Sequence, residues 1–166
     1  MPPPICYTKL ISGTEMLVLD SMDDDQIIGR ARRVFSEYLD PRFIDGLVET
    51  SSLPAEPTKA SVHKIIRVGK LATFFNSLSP ELNILRFSRA QIVQFCEKYR
   101  SKISNEGSGT FFLFKQGEGF SVARVADVVG YGKSLVLQVY ELSYKGDWGG
   151  YENHQIVVQQ LEPASP

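Results

Sequence analysis

The feature that most constrains the fold is a change of hydrophobic period at Thr110. From there to Leu161, apolar and polar residues alternate in the way that is typical of β-strands. Four runs carry this alternation: Thr110–Lys115, Phe120–Asp127, Ser134–Tyr144 and His154–Leu161. The segments between them are short and rich in glycine, and short connections join antiparallel neighbours. The C-terminal part of the chain therefore predicts a four-stranded antiparallel meander.

The residues before Thr110 carry a helical period instead. Three consecutive aspartates precede an apolar stripe over Ile27–Leu39, so they are suited to cap a helix and to interact with its dipole. Asp40-Pro41 ends this helix and starts a short second one, with the aspartate as its cap. Ser88–Gln91 is a capping box, which predicts a third helix.

The segment 62–68 fits either a strand or the start of a helix. Gly69 costs a helix about 1 kcal/mol, so we expect a strand to about Arg67 and then a helix over residues 71–78. A short strand is expected over residues 15–20.

Helices gathered before strands indicate an α+β fold, in which N-terminal helices and short strands pack on one face of the C-terminal meander. We expect a single domain over residues 13–161, an N-terminal extension at 1–12 and a frayed tail at 162–166.

Composition narrows the class of protein further. The chain has 166 residues, 43% of them hydrophobic, and its aromatic residues are 10 Phe, 7 Tyr and 1 Trp, which suits a domain with a buried core. No apolar run approaches the roughly 18 residues that cross a bilayer. The first residues lack the basic and apolar regions of a secretory signal, and two cysteines are too few for a disulfide scaffold. We expect a cytoplasmic protein that does not enter the membrane.

The net charge of -1 conceals a basic middle third. Residues 59–102 carry 9 basic and 2 acidic side chains, whereas both flanking segments are acidic. An anionic partner such as a nucleic acid has an electrostatic reason to bind there. Alternatively, the basic segment packs beside the acidic ends of its own chain. The candidate polyanion contacts are Lys64, Arg67, Lys70, Arg86 and Arg89.

Motifs for catalysis and cofactor binding are weak. Gly132-Lys133-Ser134 resembles the end of a phosphate-binding loop, but the required earlier glycine is absent and a strand follows in place of a helix. The residues His63, His154, Cys6 and Cys96 lack the close spacing of a zinc site. We expect Cys96 to be a buried thiol and His154 to lie at the solvent edge of a strand. The sequence therefore predicts no cofactor, metal or catalytic residue, and it leaves enzymatic activity open while favouring a binding protein.

The loop 145–151 holds the only tryptophan of the chain. Asp147, Trp148 and Tyr151 form a candidate contact loop, because aromatic residues anchor many interfaces. In the alternative interpretation, Trp148 folds back and covers the end of the sheet.

Several motifs, taken in order, resemble those of a group of small uncharacterised proteins from uncultivated bacteria. The motifs are Val34-Phe35 with Tyr38-Leu39-Asp40, Ser77-Leu78, residues 91–98, residues 109–114 and residues 154–161. The resemblance implies one cytoplasmic domain and no particular activity or cofactor. The resemblance lends no function. Because the motifs for catalysis are weak, we expect a small non-catalytic interaction module that binds a protein partner or self-associates through a sheet edge or face. The alternative is a nucleic-acid or polyanion binder that uses residues 59–102.

Overall fold

The computed structural model describes residues 6–13, 15–20, 27–45, 57–103, 108–127, 135–149 and 154–160. Within these ranges the strands are β1 Thr8–Leu10, β2 Leu17–Leu19, β3 Tyr38–Leu39, β4 Thr58–Ile65, β5 Thr110–Gln116, β6 Gly119–Ala126, β7 Val136–Glu141 and β8 Gln155–Gln159. The α-helices are α1 Ile27–Val34, α2 Pro41–Ile44, α3 Leu71–Leu78 and α4 Arg89–Lys98. The α+β class predicted from the sequence is confirmed.

The strands form one mixed sheet in the order β1-β4-β8-β5-β6-β7-β3, and β2 also pairs with β4. Strands β5, β6 and β7 are antiparallel neighbours, as predicted. Strand β8 does not continue this meander, because it lies between β4 and β5, antiparallel to the first and parallel to the second. The prediction of a four-stranded antiparallel meander is therefore wrong for its fourth strand.

The length of the last connection explains this difference. The sequence pattern extended the third run to Tyr144, but β7 ends at Glu141, so the thirteen residues 142–154 separate it from β8. A connection of about a dozen residues is long enough to reach a parallel position. Midway along it, Trp148 and Gly69 exchange two backbone hydrogen bonds, of 2.8 and 3.0 Å. The described part of the connection, residues 142–149, therefore lies against a face of the sheet.

Helix α1 is shorter than its apolar stripe predicts. It ends at Val34, and Tyr38–Leu39 form β3, which pairs in parallel with β7. Pairing at the edge of β7 satisfies backbone groups that would otherwise lack partners, and this outweighs the helical period of the side chains. The second helix begins as predicted, since Asp40 caps α2 by accepting a 3.0 Å hydrogen bond from the Arg42 N–H.

Strand β4 organises the N-terminal half of the chain. It pairs with β1 and β2 on one side and with β8 on the other, which confirms a strand over residues 62–65. Residues 8–10, within the segment expected to be an extension, form β1. Strand β2 lies within the short strand expected over residues 15–20, and α3 matches the helix expected over residues 71–78.

Helices cover both faces of the sheet, whereas we expected them on one face. Residues of α1, α2 and α4 pack on the first face and form what we call the first core. Residues of α3 pack with Trp148 on the second face and form the second core. Strand β5 shows the consequence, because Phe112 and Phe114 enter the first core while Phe111 and Leu113 enter the second. A strand that is buried on both faces has a continuously apolar sequence, so its pattern does not reveal which helices cover it.

Candidate functional site

Strand β1 lies at one end of the sheet, and we call its outer side the β1 edge (Thr8, Lys9 and Leu10). The Ile66 N–H donates to Tyr7 O, and the Ile11 N–H donates to Val62 O, both at 2.9 Å. Hydrogen-bonded and outward-facing residues alternate along an antiparallel strand, so the N–H and C=O groups of Thr8 and Leu10 point away from β4. Within the described ranges, no strand pairs with this side of β1.

A pair of lysines gives the β1 edge a positive charge. Lys9 lies directly opposite Lys64 in the register of β1 and β4, and both side chains are exposed. Neither lysine forms an ion pair with any residue that the structure describes. Because like charges directly opposite on neighbouring strands repel, this edge is complementary to an acidic group.

Apolar side chains surround the same edge. Leu10 and Ile11 are 49% and 50% exposed, and Met16 beyond the following turn is 59% exposed. Ile66 and Val68 are also about half exposed where the chain leaves β4. Exposed backbone groups, apolar side chains and paired lysines therefore occur together at this end of the sheet, and such an edge is suited to take another strand.

A small pocket lies over β4 on the side of the sheet that Leu10 shares with His63. It has a volume of about 170 Å³ and is lined by Leu10, Ser12, Gly13, Glu15, Ala60, Ser61, His63 and Gln160. The turn at Ser12-Gly13 separates β1 from β2 and forms one wall, and Gly13 adopts the left-handed φ of 58° that this turn requires. We call this cavity the His63 pocket.

A serine and a histidine meet in the His63 pocket. Ser61 Oγ lies 3.1 Å from His63 Nε2, because residues two apart on a strand share a face. Burial lowers the pKa of His63 from its ordinary value of 6.5, so the imidazole is neutral near pH 7 and one of its ring nitrogens accepts a hydrogen bond. The Glu15 carboxylate, which also lines the pocket, forms an ion pair with the Lys102 ammonium at 2.7 Å. The pocket thus places a serine hydroxyl and a neutral imidazole beside the β1 edge.

Trp148, the centre of the candidate contact loop, is packed on the sheet. Its indole meets the rings of Phe111, Tyr140 and His154 at centroid distances of 5.1, 5.4 and 5.5 Å. This packing favours the interpretation in which Trp148 covers the sheet. Asp147 is exposed and lies 3.5 Å from the Lys70 ammonium, whereas Tyr151 lies outside the described residues. His154, expected at the solvent edge, is instead buried beneath the tryptophan.

Three of the five candidate polyanion contacts make side-chain interactions with described residues. Lys70 pairs with Asp147, and Arg86 Nε donates to Asn83 Oδ1. Lys64 lies on β4, opposite Lys9 of the β1 edge. Arg89 donates to the Asp45 carbonyl and lies over the Phe114 ring at 5.5 Å. Arg67 is exposed just after β4. Of the five, only Lys64 lies beside the β1 edge.

Comparison with protein-family models, with curated proteins and with solved structures finds no match to the chain. The resemblance to proteins of uncultivated bacteria therefore stays a prediction, and function is argued from geometry. Among the helices that the structure describes, none has both the length and the apolar character needed to cross a bilayer. The described residues also contain no group of three or more His, Cys, Asp or Glu side chains arranged to hold a metal ion.

Sequence reasoning missed both Lys9 and the Ser61–His63 pair. Lys9 fell in a segment treated as an extension, and only its pairing with Lys64 gives it significance. The spacing of Ser61 and His63 was visible, since two residues apart on a strand lie on the same side. From the sequence, His63 was considered only as a possible zinc ligand.

Proposed function

We propose that the protein is a non-catalytic interaction module that binds an extended, acidic segment of a partner protein at the β1 edge. The observation that carries the proposal is the outward direction of the backbone groups of Thr8 and Leu10 on an edge strand. Two residues with outward N–H and C=O groups offer up to four hydrogen bonds to an added strand. Main-chain bonding of this kind gives affinity, and the side chains beside it give specificity.

The lysine pair supports an acidic partner. In an added strand, the residue opposite Lys9 places its side chain on the same face, about 5 Å away between Cβ atoms. A carboxylate there interacts with Lys9 and, more distantly, with Lys64, and it relieves their mutual repulsion. On the other face, the neighbouring positions lie beside Thr8 and the exposed Leu10, where an apolar side chain is favoured. The expected partner motif is therefore apolar, acidic, apolar in an extended segment.

The same charges argue against a second copy of the chain as the occupant. An antiparallel pair of β1 strands centred on Lys9 places the two copies of that lysine opposite each other, with Lys64 of each copy nearby. Such an arrangement gathers four positive charges on one face of the joined sheet and is destabilising. A different protein with the complementary charge satisfies the edge better.

Binding is tested with a fluorescently labelled ten-residue peptide that alternates valine with glutamate, and with a matched peptide that carries lysine in place of glutamate. We expect saturable anisotropy with the acidic peptide and much weaker binding of the basic one. Leu10→Pro removes an outward N–H while leaving the Ile11 and Tyr7 bonds to β4 in place, so it should abolish binding. Its melting temperature should stay within a few degrees of the wild type.

Charge reversal gives the second arm of the test. Lys9→Glu should reverse the preference between the two peptides, whereas Lys115→Glu, at an exposed position on β5, should not. Equal binding to wild type and to folded Leu10→Pro would show that the β1 edge is not the site. A homodimer detected by light scattering and lost in Leu10→Pro would replace the acidic partner with self-association.

A further inference from the structure

A second concave site lies at the opposite end of the sheet, between β3 and β7. The pocket has a volume of about 410 Å³, within the range of small-molecule sites. Its walls include the side chains of Tyr38, Arg42, Gln138, Tyr140, Glu141 and Tyr144. We call it the tyrosine pocket. It shares no residue with the β1 edge or the His63 pocket, and nothing in the proposed strand-binding activity uses it.

The cation of the tyrosine pocket is fixed in position. The Asp40 carboxylate is 4% exposed and accepts hydrogen bonds from Arg42 Nε at 3.1 Å and Arg42 Nη2 at 2.8 Å. Its second oxygen also accepts from the Val139 N–H at 2.9 Å, which ties the pair to β7. The Arg42 side chain remains 58% exposed, and the described residues include no partner for its Nη1 group. A planar guanidinium held in this way presents donors to an oxyanion without further ordering.

Aromatic rings form the adjoining walls. Tyr38 and Tyr144 are 47% and 42% exposed, a large exposure for such rings. Tyr144 is held against Tyr140 with centroids 4.9 Å apart. Its ring also lies directly on Gly146, where an added Cβ would overlap the ring. The absence of a side chain at Gly146 therefore permits the observed position of the Tyr144 ring, and contacts with Gly146 and Tyr140 restrict its movement.

A neutral donor completes the pocket. The Gln138 carbonyl oxygen accepts from Arg124 Nη1 at 3.1 Å and from the Tyr140 hydroxyl at 3.4 Å. These bonds fix the orientation of the amide, so its NH₂ group is left to serve a ligand. Glu141 carries the only formal charge of the lining outside the Asp40–Arg42 pair, and it lies 3.5 Å from the Ser143 hydroxyl. The Glu141 carboxylate repels a negatively charged ligand, so binding should weaken as the negative charge of the ligand increases.

We propose that the tyrosine pocket binds a flat heteroaromatic ring joined to one phosphate group, of which a free nucleoside monophosphate is the simplest example. The ring stacks on Tyr38 and Tyr144, since aromatic side chains stack on any nucleobase. The phosphate accepts hydrogen bonds from Arg42, and the Gln138 amide donates to an oxygen of the ligand. Glu141 repels phosphate oxygens, so each additional phosphate group should weaken binding.

The chain carries its own reporter for this site. Trp148 is the only tryptophan of the chain. The centroid of its ring lies 5.4 Å from that of Tyr140 and 6.1 Å from that of Tyr144. Titration with adenosine monophosphate should give a saturable change of tryptophan fluorescence, and calorimetry should give the same Kd. Adenosine should bind at least tenfold more weakly, adenosine triphosphate more weakly than the monophosphate, and inorganic phosphate without a saturable signal.

Matched variants separate the two contacts. Tyr38→Ala should weaken binding about tenfold or more, because stacking on one aromatic ring is worth roughly 1–3 kcal/mol. Tyr38→Phe should retain the affinity. Arg42→Lys should weaken adenosine monophosphate binding but leave adenosine unchanged. Ile84→Ala, at an exposed residue outside the lining, is the control. Absence of saturation at 10 mM, equal affinity for adenosine and its monophosphate, or indifference to Tyr38→Ala would each overturn the proposal.

Discussion

The backbone N–H of Gly109 donates a 2.8 Å hydrogen bond to Nδ1 of His154, and this bond links the starts of β5 and β8. These are the two strands that pair in parallel, and the Gln155 N–H adds a bond to the Gly109 carbonyl at 3.0 Å. Because Nδ1 accepts a hydrogen bond, the ring proton of the neutral imidazole resides on Nε2. His154 is 1% exposed, so its ring fixes the point at which the crossover ends.

Replacing His154 by alanine should lower the free energy of unfolding by about 2–3 kcal/mol, because a buried N–H loses its acceptor and the ring leaves a cavity. His154→Asn is the matched variant, since its side-chain oxygen is able to occupy the position of Nδ1. It should recover part of the loss. Urea denaturation followed by circular dichroism measures both values. Equal destabilisation by the two substitutions would show that ring packing, and not the Gly109 bond, is what matters.

Asp40 should make stability depend on acid pH. Burial opposes ionisation of this carboxyl, but hydrogen bonds from Arg42 and Val139 outweigh it and lower its pKa from 3.8. A carboxyl with a lowered folded-state pKa stabilises the fold above its unfolded pKa, and the contribution is lost as the pH falls through the folded-state value. Asp40→Asn should therefore cost about 2 kcal/mol at pH 7, in line with hydrogen bonds to charged groups.

The difference between wild type and Asp40→Asn should be constant above about pH 5 and should shrink as the pH falls below 3.8. Thermal melts between pH 2 and pH 8 provide the measurement. Glu118→Gln, at an exposed turn residue, serves as the control and should show little difference at any pH. A difference between wild type and Asp40→Asn that does not vary with pH would contradict the role assigned to the charge.

Trp148→Ala should destabilise the protein by about 2–3 kcal/mol, somewhat less than a fully buried aromatic, because the indole is partly exposed. Trp148→Phe keeps an aromatic ring against Phe111 and should recover most of that loss. Differential scanning calorimetry gives the comparison. An unchanged melting temperature for Trp148→Ala would instead favour the contact-loop interpretation of residues 145–151.

The two cysteines should differ sharply in reactivity. Cys6 is exposed, whereas Cys96 is fully buried and burial raises the pKa of its thiol. The thiolate is the reactive form, so only Cys6 should react with a disulfide reagent in the native state. Native Cys6→Ser should therefore release almost no chromophore from the reagent. In denaturant, the wild type and Cys6→Ser should each gain one further reactive thiol, which is that of Cys96. Rapid labelling of Cys96 in native Cys6→Ser would show that the first core opens readily.

The elements that sequence reasoning located correctly depend on neighbouring residues. The capping box of Ser88 and Gln91 forms in both directions, and Asp40 caps α2 from its place before a proline. The β5–β6 hairpin turns at Gly117, whose φ of 61° suits glycine. Each of these signals is complete within a few residues, so the sequence alone was sufficient to determine it.

The candidate sites depended on partners far away in the chain. Lys9 becomes notable only opposite Lys64, and Asp40 fixes Arg42 for the tyrosine pocket only because its second oxygen meets Val139. The hydrophobic period of a segment does not reveal pairs of residues that are distant in the sequence. The spacing of Ser61 and His63 was a local signal, and it became informative only when β1 and its turn enclosed a pocket around it.

By itself, the sequence determined the α+β class, the three antiparallel strands β5, β6 and β7, and most helix positions, because side-chain period, caps and turns act over short distances. The tertiary structure decided the rest. It placed β8 beside β5, converted Tyr38–Leu39 into an edge strand and put α3 on the second face. The physical reason is that buried backbone groups need hydrogen-bond partners and that apolar faces must be covered. The segments that meet these requirements are distant in the sequence, so only the complete fold determines which of them come into contact.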